Sequence, residues 1–258
     1  MPTAAGLHYF VHEEQNVARP PVILIHGAGG THLNWPAQVR RLPDQRMFAL
    51  DLPGHGKSDG MGRQAVDEYA EDILGFMDAV KLNAAIMVGH SMGAALALAL
   101  ALDHPQHVLG LGLVGSASRL RVAPAILRGI ANPLTFHSAL HLITESSYGP
   151  SADPRLKELA EQRMAETRAT VLYGDFLASD SFDAQAALQR VRVPTVILCG
   201  LEDRMAPPDC SRQLHRAIAG SELRLIPDAG HMLMIERPDA VAQVLTDFLS
   251  GVPYRPGQ

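Results

Sequence analysis

Three residues have the types, neighbours and chain order that acyl transfer needs: Ser91, Asp203 and His231. Ser91 lies in Gly89-His90-Ser91-Met92-Gly93, after the apolar run Ile86-Met87-Val88 and before an alanine- and leucine-rich stretch that reaches Leu102. Gly-x-Ser-x-Gly between a strand and a helix predicts a tight turn with an exposed hydroxyl, a nucleophile elbow. Such a turn strains the serine backbone, and the positions two residues away must lack a Cβ if strand and helix are to approach. A serine hydroxyl is a poor nucleophile until a base takes its proton, and the base needs a third group to fix its tautomer. Asp203 follows an apolar run at 195–199, in Gly200-Leu201-Glu202-Asp203, and His231 follows another at 222–226, in Asp228-Ala229-Gly230-His231. Glu202 is the alternative acid; spacing favours Asp203.

These residues work together only if the elements before them end at one place. Short apolar runs at 7–11, 22–25, 46–52, 86–88, 108–114, 195–199 and 222–226 read as strands. Between them, helices are expected near 35–42, at 66–80 with Tyr69, Ile73, Phe76 and Val80 on one face, after Ser91, and at 208–219 and 238–249. Alternation of this kind predicts an α/β fold: a mostly parallel central sheet flanked by helices. In a parallel sheet the carboxyl ends of the strands share one edge, where Ser91, Asp203 and His231 would converge. The strand at 7–11 reads as an edge. From 118 to 191 the apolar spacing is helical, with Pro124, Pro133, Pro150 and Pro154 cutting it into short helices. The expected organisation is a core of residues 1–117 and 192–258 with an all-helical insertion at 118–191, and a loose tail at 251–258.

Composition narrows the function classes. At 258 residues with 47% apolar and 19% charged side chains the chain can bury one large core, and a formal net charge of −5 gives no electrostatic case for nucleic acid or an anionic membrane. The apolar run 94–102 is too short to span a bilayer, the first six residues do not resemble a signal peptide, and Cys199 and Cys210 make no disulfide framework. A soluble, cytoplasmic protein is expected. Rival motifs fail on spacing. In Gly54-His55-Gly56-Lys57-Ser58 the first glycine of a phosphate-binding loop would fall on Asp51, and after Gly27-Ala28-Gly29 the third glycine of a dinucleotide fingerprint would fall on His32. His137 and His141 lack the glutamate of a zinc-hydrolase helix, and no metal or cofactor is called for. Arg119, Arg121 and Arg128 form a basic patch that reads as a solvated face, with use by an anionic carrier or substrate as the alternative.

Five motifs in this order, His26-Gly27, Asp51-x-Pro53-Gly54-x-Gly56-x-Ser58, Gly89-His90-Ser91-Met92-Gly93, Gly200-x-x-Asp203-x-x-x-Pro207 and Gly230-His231, resemble the α/β-hydrolase family over nearly the whole chain. The resemblance implies a Ser91-Asp203-His231 triad, an oxyanion hole from the N–H groups of Met92 and Ala28, and a cap formed by the helical insertion. The family sometimes draws its acid from the preceding strand, but Gly115-Ser116-Ala117-Ser118 holds no carboxylate, which favours Asp203. A serine rather than an aspartate at the elbow argues against the dehalogenase and epoxide hydrolase branches. The expected activity is a serine carboxylesterase acting on a small-molecule ester of small or medium acyl chain. A pocket lined by Phe136, Tyr148, Tyr173 and Phe176 would suit it. Lactonase, perhydrolase, amidase and carbon–carbon hydrolase are same-triad alternatives, and a catalytically silent ligand receptor is a further one.

Overall fold

The computed structural model describes residues 2–13 and 19–254. Its eight strands are β1 (Thr3–Ala4), β2 (Leu7–Glu13), β3 (Pro21–Ile25), β4 (Arg46–Leu50), β5 (Ala85–His90), β6 (Val108–Val114), β7 (Thr195–Gly200) and β8 (Glu222–Ile226). They form one sheet in the order β1-β2-β4-β3-β5-β6-β7-β8. Strands β3 to β8 run parallel, while β2 pairs antiparallel with β4 and β1 antiparallel with β2. The strand read as an edge is therefore covered by the two-residue β1.

β3 shows why the middle of the sheet is apolar throughout. Its side chains alternate, so Ile23 and Ile25 enter one core and Val22 and Leu24 the other. The first core lies under α2 (Val66–Ala79) and α3 (Met92–Asp103), and the second under α1 (Ala37–Arg40) and α10 (Pro238–Gly251). α3 is buried almost all round, which explains an alanine- and leucine-rich helix without a polar face. The helix expected near 35–42 is shorter: a 3-10 turn at His32–Asn34 precedes Pro36, which has no N–H to continue it, and α1 starts afresh after the proline. α8 (Pro208–Ala217) and the four-residue α9 (Leu233–Glu236) complete the flanking helices. Within the tail at 251–258, residues 255–258 lie outside the described residues. Among the described residues no helix is long and apolar enough to cross a membrane.

Between β6 and β7 lie α4 (Pro124–Ala131), α5 (Phe136–Ser147), α6 (Pro154–Ala165) and α7 (Ala169–Ser181), around their own small apolar cluster. The two ends of this segment are fastened to each other. Arg119 bridges to Asp183 with a 3.1 Å ion pair, Ala184 N–H donates to the Ser118 carbonyl, and Arg121 donates to the Asp180 carbonyl. Two arginines of the basic patch thus serve as ties. The chain leaves β3 for β4 on one side and returns to β5 on the other. The loops after β3 and β5 therefore diverge, opening a crevice at the switch point of the sheet.

Candidate functional site

Ser91 sits in that crevice, one residue beyond β5 and immediately before α3. Its backbone is left-handed, φ +53° and ψ −116°, a conformation that costs a non-glycine residue on the order of 1–3 kcal/mol. Close packing holds it there. A Cβ on Gly89 would lie 2.0 Å from the Gly93 carbonyl oxygen, and one on Gly93 would lie 2.3 Å from that of Ile25, so only glycine fits at either position. The Ser91 N–H is tied to the Val114 carbonyl at 2.9 Å.

His231 and Asp203 come from loops beyond β8 and β7, and both are buried. His231 Nδ1 lies 2.8 Å from Asp203 Oδ2; a carboxylate can only accept, so the ring donates from Nδ1 and leaves Nε2 as its basic nitrogen. Asp203 Oδ1 accepts the N–H groups of Met205 and Ala206, each at 2.8 Å, which fixes the carboxylate against rotation. Glu202 is directed elsewhere. Its Oε2 is buried without a hydrogen-bond partner, close to the position a Gly149 Cβ would take. Behind His231, His90 Nε2 meets the His231 carbonyl at 3.0 Å; burial and the neighbouring His231 push the His90 pKa well below the ordinary histidine value, so it stays neutral.

Across the crevice is the loop after β3. Among the described residues the N–H groups of Ala28 and Met92 have no hydrogen-bond partner, whereas those of Gly29 and Gly30 are both taken. The loop is held on two sides. His26 donates from Nδ1 to the Gly27 carbonyl (2.7 Å) and accepts the Leu52 N–H at Nε2 (3.0 Å). Burial, and then His55, lower its pKa to about 4. On the other side Asp175, from α7 and wholly buried, accepts three hydrogen bonds: from Gly29 N–H (2.8 Å), His55 Nε2 (2.8 Å) and the Tyr69 hydroxyl (2.5 Å). Burial pushes His55 down, but the charge and hydrogen bond of Asp175 outweigh it, and His55 titrates above the ordinary histidine value.

Asp51 is a second buried hub. Its oxygens accept from His8 Nδ1 (2.7 Å), His32 Nδ1 (2.8 Å) and the N–H groups of His32 and Lys57. Burial would raise its pKa, but the hydrogen bonds from His32 prevail and hold it well below the usual carboxylate range. His8, His32 and Asp51 are also the one trio among the described residues with three ligand-type atoms within 4.8 Å of one another. The two rings face the carboxylate oxygens at hydrogen-bond length, so the trio is a hydrogen-bonded hub. Cys199 and Cys210 are free, and burial pushes the Cys199 thiol up to about 12.

A cavity of about 170 Å³ opens over Ser91, His231 and Ala28. Its wall is mainly apolar, with Leu33 below and Ile143, Leu156, Leu159, Met164 and Phe176 from α5, α6 and α7 above. Of the four aromatic residues expected there, Tyr148 and Phe176 line it; Phe136 and Tyr173 pack instead against the small apolar cluster of α4–α7. Asp175, Arg163 and the Asp51 hub were missed by sequence reasoning. Asp175 had a signal: an acid inside a helix whose neighbours Val171, Leu172, Phe176 and Ala178 are all apolar and buried.

Residues 20–238 match the α/β hydrolase fold family. The chain is 28% identical over 244 residues to the pimeloyl-[acyl-carrier protein] methyl ester esterase of Neisseria meningitidis, covering 90% of this chain and 94% of that one. It superimposes on the enol-lactonase of Burkholderia xenovorans LB400 with a TM-score of 0.87, at 26% identity over 95% of this chain and 96% of that one. A thermophilic esterase gives a TM-score of 0.81 at 30% identity, over 95% and 98% of the two chains.

Proposed function

Because the chain belongs to the α/β-hydrolase family, we propose that it is a serine hydrolase of carboxylic esters with small to medium acyl groups, acting through Ser91, His231 and Asp203. The observation that carries this reading is the 2.8 Å His231–Asp203 pair beside a cavity that Ser91 also lines. His231 Nε2 takes the Ser91 proton as Oγ attacks the acyl carbon. The carbonyl electron pair moves onto oxygen, where the N–H groups of Ala28 and Met92 receive the charge. Collapse expels the alcohol oxygen, which takes the proton from His231. Water, deprotonated by the same ring, then attacks the acyl-enzyme and releases the acid. Asp203 keeps the imidazole in the Nδ1–H tautomer and stabilises its cation. The helices α4–α7 act as a cap over the cavity, and their apolar lining supports an acyl rather than a sugar or phosphate substrate.

A panel of nitrophenyl esters of rising chain length, with fluorophosphonate labelling of Ser91, tests the reading. Turnover and labelling that both vanish in Ser91→Ala support it; a wild-type protein that neither turns over any ester nor labels refutes it. A lactone is an ester closed on itself, and the likeness to the enol-lactonase favours including lactones in the panel.

A further inference from the structure

The cavity over Ser91 is apolar along most of its wall and charged at one point. α6 presents Leu156, Leu159, Ala160, Arg163 and Met164 to it. These positions form the single stripe of a helix face, and Arg163 is its one charged member. Arg163 is an exposed residue, and among the described residues its guanidinium makes no hydrogen bond or ion pair. Two further residues of the same wall, Thr144 and Tyr148, are each only 2% exposed, and their hydroxyls are buried without a hydrogen-bond partner. An unpaired buried hydroxyl is unfavourable unless something arrives to bond it. Burial and the Glu236 carboxylate raise the Tyr148 pKa and Arg163 opposes them, so the hydroxyl keeps its proton and remains a donor. Glu236 forms no ion pair with Arg163; its two oxygens accept the N–H groups of Gly149 and Gly230, each at 2.9 Å.

A guanidinium presents parallel donors that match the two oxygens of a carboxylate, and nearby hydroxyls can donate to the same oxygens. We propose that the cavity selects acyl groups bearing a carboxylate at the end remote from the scissile bond, with Arg163 as its ion-pairing group and Tyr148 and Thr144 as hydrogen-bond donors. The substrate class is then the half-esters of dicarboxylic acids, and lactones carrying a free carboxylate. The chain between the two ends lies along Leu156, Leu159 and Met164. This inference rests on the ester-hydrolase reading of Ser91, and its test separates the two.

Binding is measured by calorimetry on Ser91→Ala, with monomethyl succinate, glutarate and adipate against methyl esters of neutral acids of equal length. Turnover is measured on wild-type protein with the matching nitrophenyl esters. The half-esters of the best length bind at least about tenfold more tightly than their neutral counterparts, a ratio that Arg163→Gln brings down to about twofold or less. Tyr148→Phe and Thr144→Val each reduce it by a smaller factor. Arg155→Gln, which removes a second exposed charge from the same helix but outside the cavity lining, leaves it unchanged. Equal binding of charged and neutral esters, a preference that survives Arg163→Gln, or one lost equally in Arg155→Gln overturns the proposal. Preferential binding without wild-type turnover upholds the carboxylate site and refutes the ester-hydrolase reading instead.

Discussion

Replacing Asp175 tests whether the loop carrying Ala28 is held in place by α7. In Asp175→Ala three buried donors lose their acceptor: Gly29 N–H, His55 Nε2–H and the Tyr69 hydroxyl. At about 1–3 kcal/mol for each unsatisfied group, and with water serving one of them in the vacated space, the loss is roughly 4 kcal/mol. For a chain of this size that lowers Tm by about 8–16 °C. Asp175→Asn is gentler. Its amide oxygen can occupy the Oδ2 position and accept from Gly29 and His55, while its NH2 donates to the Tyr69 oxygen. The catalytic consequence is bounded by the Ala28 N–H, since one oxyanion donor is worth about 3 kcal/mol, or about 10²-fold in kcat. We expect kcat to fall toward that bound in the alanine variant, KM to stay within about twofold, and the asparagine variant to recover most of the loss. Thermal melts and ester hydrolysis on the three proteins read both effects. An alanine variant that melts lower but keeps wild-type kcat would show that Asp175 secures only its own helix; unchanged melting would refute the hub altogether.

Asp203→Asn should lower kcat by about 10⁴-fold because the imidazole loses its tautomer, while Glu202→Gln, whose carboxylate does not reach His231, should leave it within about tenfold; the reverse order would move the acid role to Glu202. Gly93→Ala brings a Cβ to 2.3 Å from the Ile25 carbonyl oxygen, so it should cost several kcal/mol, about 4 or more, and a soluble variant with wild-type Tm would contradict the packing of the elbow. Acid should weaken the fold through His26. A histidine that titrates at about 4 when folded and about 6.5 when unfolded binds its proton more readily in the unfolded chain. Its stabilising contribution is complete above about pH 6.5 and falls by about 3 kcal/mol as pH drops to about 4. His90 acts in the same direction, whereas the raised pKa of His55 adds stability on the acid side that is lost as pH rises through its folded value. Urea unfolding across this range, compared with His26→Gln, checks the slope; an identical slope in the variant would refute the assignment.

The fold was legible because its decisive features are local. Each parallel strand is a short apolar run closed by glycine or a polar turn, and Gly89 and Gly93 announce the close approach of β5 and α3 in five consecutive residues. Chain order then placed Asp203 and His231 beyond later strands of the same sheet edge. Tertiary partners were harder to read. Nothing around His8 says that a strand residue will share the Asp51 carboxylate with His32, 24 residues later in the chain and on another turn. The pocket aromatics divided for a similar reason: Tyr148 and Phe176 reach the cavity while Phe136 and Tyr173 fill the small cluster, and helical spacing alone does not distinguish the two apolar sides of a short helix. The helix near 35–42 was overextended because Pro36 interrupts a stretch that otherwise has helical composition.

The three bonds that Asp175 accepts divide the region between β6 and β7 into parts with different freedom to vary. α5 and α6 give the cavity much of its upper wall and no residue of theirs joins the Asp175 or Asp51 hub, so their cavity-facing side chains are open to redesign, while the Ser147 carbonyl at the end of α5 must go on accepting the Met232 N–H beside His231. α7 belongs by its hydrogen bonds to the part of the protein that must not move. A graft spanning all four helices would import a foreign surface beneath Gly29 along with the new specificity. One that stops before Met164 keeps Met164, Thr167 and Asp175 against the Gly29 loop, so the last turn of α6 is the natural border for recombining this protein with its relatives.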